Sequence, residues 1–287
     1  MITIFTPAYN RSNTLPRLYE SLKTQTYGNF EWLIVDDGSR DGTKGIVEKW
    51  INESVFPIRY YYQENGGKHR AINKGVKEAK GEWFFIVDSD DYLLDDSLEI
   101  IEKWTSEIEK DVNFAGVCGL KVDSKGNVMG PGFLMDCMDE NPYKIDYRGD
   151  LAEVWKTPVL LDYPFPDYVG EKYCAECLVW FRIGQKYKIR YYNRAIYIAD
   201  YLEGGLTRNT FFHRKSSPNY TLLTNRETMQ YACPWKRRLR AAINYWRFIF
   251  YKKFSINDFV KLPWFAYFMI PIGVLASLRD RMLKPKD

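Results

Sequence analysis

Four short apolar runs separated by three helical patterns occupy the first 115 residues, and this cadence restricts the fold more than any other feature. The runs are ITIF at 2–5, FEWLIV at 30–35, PIRYYY at 57–62 and FFIV at 84–87. Between them, Leu15, Leu18 and Leu22, then Ile46, Val47 and Trp50, then Ala71, Ile72, Val76 and Ala79 recur at helical spacing. Short runs without polar alternation suit strands covered on both faces. Strand and helix in turn give a parallel sheet between helical layers. Ser12 or Asn13 is expected to cap the first helix, and Asp41 and Thr43 to begin the second.

Ligands in such sheets sit outside the carboxyl ends of the strands. Here those ends are Pro7-Ala8-Tyr9-Asn10, Asp36-Asp37-Gly38-Ser39 and Asp88-Ser89-Asp90-Asp91, with Asn65-Gly66-Gly67-Lys68 between the last two. Each alone is explained by turn chemistry. Asp91 or Asp95 could simply cap the next helix. All four together would gather polar groups on one edge without reason. Clustered carboxylates raise one another's pKa unless a cation lies among them. An all-oxygen set suits Mg²⁺ or Mn²⁺, held by one or two carboxylates plus a substrate phosphate. No G-x-G-x-x-G follows the first run and no G-x-x-x-x-G-K-[ST] occurs, so those two phosphate-binding readings lack their motif.

Further along, 113–122 reads as a strand. Residues 123–170, rich in Gly, Pro, Asp and Tyr, read as short strands and loops of an acceptor wall. A helix is expected over 175–187, strands over 189–192 and 195–198, a Gly-turned loop over 201–209, and helices over 219–233 and 235–254.

The ordered motifs Thr6-Pro7-Ala8-Tyr9-Asn10, Gln25-Thr26-Tyr27, Val35-Asp36-Asp37-Gly38-Ser39, Asn65-Gly66-Gly67-Lys68 with Asn73, and Asp88-Ser89-Asp90-Asp91 resemble those of the family 2 glycosyltransferases. These are inverting enzymes of the GT-A fold that build bacterial polysaccharides. The likeness is strong over about 2–115 and weaker to about 210. It implies a Rossmann-like α/β fold with a mostly parallel sheet flanked by helices, followed by a C-terminal helical, basic and aromatic extension. The expected division is 1–115 for the nucleotide-sugar part, 116–218 for the acceptor part of the same domain, and 219–287 for the extension.

The resemblance further implies that Thr6, Pro7, Ala8 and Asn10 line the nucleotide cleft. Asp37 would accept the uracil N3–H, and Lys68 would lie near the base or the phosphates. Asp88, Ser89 and Asp90 would border the ribose and donor, and Asp90 or Asp91 would hold Mn²⁺ or Mg²⁺. The family places its base in a Glu-Asp pair six residues before an Arg. This chain departs from that pair, and the offset from Arg182 selects Glu176, with Glu171 as the alternative. Beyond the Gly204-Gly205 turn, Arg208, His213 and Arg214 offer a cation to the diphosphate, and His213 is a secondary metal candidate.

Charge is divided unevenly: residues 234–287 carry 12 Lys and Arg against 3 Asp and Glu, the first 233 carry 29 against 34. Within the tail, 262–278 is an uncharged 17-residue run with two prolines and a glycine. Crossing a bilayer takes about 20 apolar residues. Basic and aromatic residues together instead suit helices lying on an anionic membrane surface, here over 236–283. A cap on the catalytic domain or a homo-oligomer interface is the alternative. No RNA-binding module accompanies the basic residues, so nucleic acid is not an expected partner.

Five cysteines, with Cys174 and Cys177 as a C-x-x-C but no second pair, read as helix-face thiols of a reducing compartment rather than a zinc site. No secretory leader is recognisable. The expectation is an enzyme at the cytoplasmic face of the plasma membrane, moving a sugar from a UDP-sugar to a glycan acceptor, free or linked to polyprenyl diphosphate. The rivals are a nucleotidyltransferase, which would open with a Gly-rich basic loop, and a silent sugar-nucleotide-fold scaffold.

Overall fold

A computed structural model of the protein describes residues 1–53, 55–199, 209–252 and 261–282. In chain order the first half runs β1 (Ile2–Ala8), α1 (Leu15–Lys23), β2 (Phe30–Asp36), α2 (Thr43–Glu53), β3 (Ile58–Tyr62), α3 (Lys68–Glu78), β4 (Trp83–Ile86) and α4 (Ser97–Ile108). There follow β5 (Phe114–Val122), β6 (Cys137–Glu140), β7 (Leu151–Lys156), α5 (Thr157–Asp162), α6 (Cys177–Gly184) and β8 (Lys188–Ile198). Helices α7 (Thr210–Ser216), α8 (Pro218–Gln230), α9 (Trp235–Phe248), α10 (Trp264–Phe268) and α11 (Ile270–Asp280) complete the described chain.

All eight strands form one sheet in the order β3-β2-β1-β4-β7-β5-β8-β6. The β3-β2-β1-β4 block is parallel, and the chain turns back between β1 and β4. That reversal is the switch point at which open sheets leave a crevice. Beyond it, β7 runs antiparallel to both β4 and β5, and β6 antiparallel to β8, while β5 and β8 are parallel. The sheet is therefore mixed, with its antiparallel members drawn from the 123–170 stretch.

Two apolar layers cover the sheet. On one side Ile4, Trp32, Phe85 and Val154 pack with Leu18, Val47 and Trp104 of α1, α2 and α4. On the other Phe5, Leu33, Phe84 and Trp155 pack with Ile72, Leu160 and Val179 of α3, α5 and α6. Successive strand residues thus enter opposite layers, as the two-residue period requires.

Several local expectations are corrected. Residue Thr14, not Ser12 or Asn13, precedes α1, and it makes no side-chain cap. Neither Asp91 nor Asp95 caps α4: Asp96 stands at its N-cap, and Asp95 instead accepts from the Thr24 hydroxyl at 2.7 Å. The α6 helix is shorter than expected, and Cys174 lies before it rather than on a helix face. The two strands read at 189–192 and 195–198 are one strand, its pairing with β5 interrupted by register shifts. Asp41 does serve α2, accepting from the Thr43 N–H at 3.0 Å.

The C-terminal helices have a separate core, in which Leu222 and Met229 of α8 meet Ala242, Tyr245 and Trp246 of α9 and Phe265 and Ala266 of α10. Arg247 of α9 forms a bidentate pair with the buried Asp280 of α11. Among the described residues no helix is long and apolar enough to cross a membrane.

Candidate active site

A cleft of about 1150 Å³ opens over the carboxyl ends of β1, β2 and β4. Its floor on the β2 side is set by Asp37, which is 4% exposed. The Asp37 Oδ1 accepts from Gln63 Nε2 at 2.7 Å and the Gly66 N–H at 2.8 Å. Its Oδ2 accepts from the Gly67 N–H at 2.7 Å and Asn65 Nδ2 at 3.2 Å. Four donors fill a carboxylate's usual capacity. Gly67 is required here: its φ is +100°, and a Cβ would stand 2.0 Å from the Lys172 carbonyl oxygen.

Lys68, the first residue of α3, is thereby placed at the centre of the cleft. Its Nζ lies 2.6 Å from Asp88 Oδ1 and 2.7 Å from Glu176 Oε1. Burial would lower the ammonium's pKa, but the two carboxylates outweigh it and raise it. Burial likewise opposes ionisation of Asp88, and Lys68, with Lys121 and Arg11, overcomes it, holding the carboxyl below its usual range.

Asp91 is the opposite case. Burial pushes its carboxyl up to about 7, with the Asp88 charge adding to it, even though Lys121 and the Tyr197 hydroxyl favour the anion. That hydroxyl donates to Asp91 Oδ2 at 2.8 Å and accepts the Asp88 N–H at 2.9 Å. The buried anion therefore has too little positive charge around it. Asp90 lines the same wall, and its carbonyl accepts from Arg17. Two neighbouring carboxylates, one short of compensation, are a donor set that a hard divalent cation fits, provided a ligand supplies further oxygens. Among the described residues no group of three or more His, Cys, Asp or Glu could hold a metal unaided.

The two candidate bases are in different environments. Glu176 stands at the N-cap of α6, with its side chain 34% exposed in the cleft. The path to it is fixed by α3: Asn73 exchanges two hydrogen bonds with the Phe165 backbone, and Arg70 donates to the carbonyls of Tyr168 and Glu171. Glu171 is buried outside the cleft. Its carboxylate accepts from the N–H groups of Asn219 (3.0 Å) and Tyr220 (3.1 Å) and from the Asn219 amide (2.7 Å). The two backbone N–H groups belong to the first turn of α8, where a helix leaves its donors unpaired.

Pro7, Ala8, Lys68, Asp88, Ser89, Asp90 and Asp91 all line the cleft. Thr6 and Asn10 do not. Thr6 lies deeper in β1 than the cleft, fully buried with its hydroxyl accepting from Trp32 Nε1 at 2.9 Å. Asn10 ties its own loop to the next, its N–H donating to Ser39 Oγ and its Oδ1 accepting the Arg40 N–H, both at 2.8 Å. His213 reaches the cleft wall stacked on Tyr173, its rings 5.6 Å apart, and burial lowers its pKa. Gly204, Gly205 and Arg208 lie outside the described residues.

Sequence reasoning missed Arg11, Lys121 and Glu153. Arg11 donates to Ser89 Oγ at 3.1 Å, and its place beside the first motif was a signal. Lys121 lies 4.0 Å above the Tyr197 ring. Glu153 sits in β7, where burial, opposed by Lys121 and reinforced by Glu176, pushes its carboxyl up to about 7. The one hint was a carboxylate inside the run LAEVWK.

The sequence matches the family model described as Glycosyl transferase family 2 over residues 3–161, just over half of the chain. It is 38% identical over 111 residues to the glycosyltransferase GlyA of Streptococcus pneumoniae, a segment covering 39% of this chain and only 16% of that protein. Residues 1–349 of S. aureus TarS, solved in complex with UDP-GlcNAc, superpose with a TM-score of 0.58 at 18% identity, covering 97% of this chain and 88% of that one. The mannosyltransferase PcManGT of Pyrobaculum calidifontis, solved with GDP-Man and Mn²⁺, gives a TM-score of 0.55 at 16% identity, covering 99% and 76%. Likeness at this level of identity concerns the fold, which is GT-A-like.

Proposed function

The chain belongs to glycosyl transferase family 2 and is a glycosyltransferase, and from that premise we propose that it transfers a sugar from a UDP-sugar to a glycan hydroxyl with inversion. The observation that carries this reading is the bridge from Asp88 through Lys68 to Glu176. It sets a carboxylate from the strand-end motif and a second from the opposite wall on either side of one ammonium. That spacing suits a donor on one side and an attacking hydroxyl on the other.

Uracil selectivity is assigned to Asp37. Of its four donors Asn65 is the most easily displaced, since its amide sits 3.2 Å from Oδ2 but 2.9 Å from the Asp37 carbonyl, which it can keep. The imide N–H of uracil would take the vacated site, whereas cytosine has no such proton. Arg11, Ser89 and Asp88 face the space for ribose and phosphates. Asp90 and Asp91 would hold Mn²⁺ or Mg²⁺, which supplies Lewis-acid neutralisation of the departing diphosphate. Glu176 takes the proton from the acceptor hydroxyl as it attacks the anomeric carbon. Glu171 is a poorer candidate because both its oxygens serve α8. The nucleotides held by the two structural neighbours support a nucleotide-sugar donor.

The proposal includes a membrane-bound site of action at the cytoplasmic face, with a lipid-linked acceptor. Trp264 and Phe268 of α10 and Leu275 of α11 are 72%, 70% and 66% exposed, and Arg279 and Arg281 are exposed at the C-terminal end of α11. Such a surface suits anionic headgroups.

The deciding experiment titrates the protein calorimetrically with UDP, GDP and CDP, with and without Mn²⁺. Binding of UDP alone, strengthened by the metal, is expected. Equal affinity for all three would remove the role given to Asp37.

A further inference from the structure

Beside the cleft lies a smaller cavity of about 220 Å³ between α6, α8 and α9. Tyr173 and Phe181 belong to the walls of both, so the two spaces adjoin. One wall is the stripe Thr221, Thr224, Asn225 and Thr228 of α8. The facing wall is Arg237, Arg240, Ala241 and Asn244 of α9. Each set has the spacing i, i+3, i+4, i+7, so each is one helix face. Packed helices ordinarily turn apolar stripes toward one another. Here α8 and α9 share such an apolar core, and beside it two largely polar stripes also face each other.

The walls are not equivalent. On α8 the three hydroxyls donate to carbonyls of Ser217 or Arg214, Tyr220 and Thr224, and Asn225 donates to the Thr221 carbonyl. That wall is satisfied within the helices. The charge lies on Arg214, Arg237 and Arg240, and no Asp or Glu among the described residues lines the cavity. Arg237 is held rigidly: it donates to the carbonyls of Tyr143 at 2.7 Å and Ile145 at 2.6 Å, with Asp146 at 3.7 Å and the Phe181 ring at 5.4 Å. Arg214 lines the cavity together with Tyr173. Arg240 has no hydrogen-bond or ion-pair partner among the described residues. Three arginines line the cavity and its lining among the described residues holds no carboxylate, Asp146 meeting Arg237 from outside that lining; guanidinium forks of this kind match a phosphate.

We propose that this cavity binds a phosphate group of the acceptor, placing it beside the hydroxyl that Glu176 deprotonates. The assignment to the acceptor rests on the glycosyl-transfer reading of the adjoining cleft, and Tyr173, three residues before Glu176, is the shared wall. A phosphate-bearing glycan in solution and a lipid carrier present the same chemistry.

Inorganic pyrophosphate and farnesyl diphosphate are titrated calorimetrically into the full chain and into Arg240→Ala, with UDP affinity measured separately on both. Removing the exposed guanidinium weakens pyrophosphate binding about tenfold, the loss of one charge-assisted contact, and leaves UDP affinity unchanged. Pyrophosphate also continues to bind when UDP saturates the cleft. Farnesyl diphosphate binding several-fold tighter than pyrophosphate identifies a lipid carrier, and equal affinities a water-soluble phosphate. Pyrophosphate affinity unchanged in Arg240→Ala, or complete competition by UDP, overturns the proposal. Failure of UDP to bind, with the Arg240 effect intact, removes the donor reading and keeps the anion site.

Discussion

Glu171 and Glu176 differ by five positions and by everything in their surroundings. Replacing Glu176 with Gln preserves the hydrogen bond to Lys68 but removes the proton acceptor. Transfer is expected to fall about 10²–10⁴-fold while UDP affinity is kept. Glu171→Gln is expected to retain transfer but lower the unfolding free energy by about 1–2 kcal/mol, as a charged acceptor at the α8 N-terminus becomes neutral. Parallel activity and thermal-unfolding measurements separate the two, and the reverse pattern would exchange their roles. Asp91→Asn is expected to abolish the Mn²⁺ dependence of UDP binding, read by the same titration used for the nucleotides. Glu153 makes a pH prediction. Burial raises its pKa to about 7, above the ordinary glutamate value of 4.5, so the folded state holds its proton longer than the unfolded one. Stability from the neutral form is full below about 4.5 and is lost as pH rises through about 7. At about 1.4 kcal/mol per unit, Glu153→Gln is expected to be the more stable protein at pH 8, by up to about 3 kcal/mol, with the gap closing near pH 5.

At the scale of elements, the parallel block was legible because each strand, its loop and its helix are contiguous and carry their pattern locally. The strand-end carboxylates and Lys68 could be placed for the same reason. What could not be read was β7, six residues inserted antiparallel between β4 and β5 from more than sixty positions away from β4. Its pattern LAEVWK has no turn signal that names its partners, so Glu153 was invisible as a cleft residue. The errors at Thr6 and Asn10 are of another kind. Membership of a motif does not say how deep a side chain lies, and Thr6 is buried against Trp32 while Ala8, on the same face at the strand end, reaches the cleft. Gly116 records how tightly β7 is held: a Cβ there would stand 2.1 Å from the Val154 carbonyl oxygen. Backbone cannot give way as a flexible side chain can. Gly116→Ala is expected to cost about 1–3 kcal/mol, measured by denaturant unfolding, and to weaken any binding that depends on Glu153.

For the whole molecule, the uneven charge was readable as arithmetic, but its deployment was not. Arg237, Arg240 and Asn244 of α9 meet α8 across the cavity, while α10 and α11 carry exposed Trp264, Phe268, Ile272, Leu275 and Leu278. Sedimentation with vesicles is therefore expected to depend on Trp264 and Phe268, and Trp264→Ala with Phe268→Ala to reduce binding to anionic vesicles severalfold while zwitterionic ones remain poor partners. Binding unaffected by the pair would place the contact elsewhere. The Lys68 bridge has a consequence at this scale too, because Asp88 belongs to the half built from β4 and Glu176 to the half built from α6. One ammonium latches the two halves, and it is paired with Glu176. On the proposed function, an incoming donor diphosphate would compete for that ammonium and release Glu176. Catalysis should then obey a compulsory order, donor first and UDP last. UDP is expected to inhibit competitively against the donor and noncompetitively against the acceptor, and competitive inhibition against both would mean that the latch keeps no order.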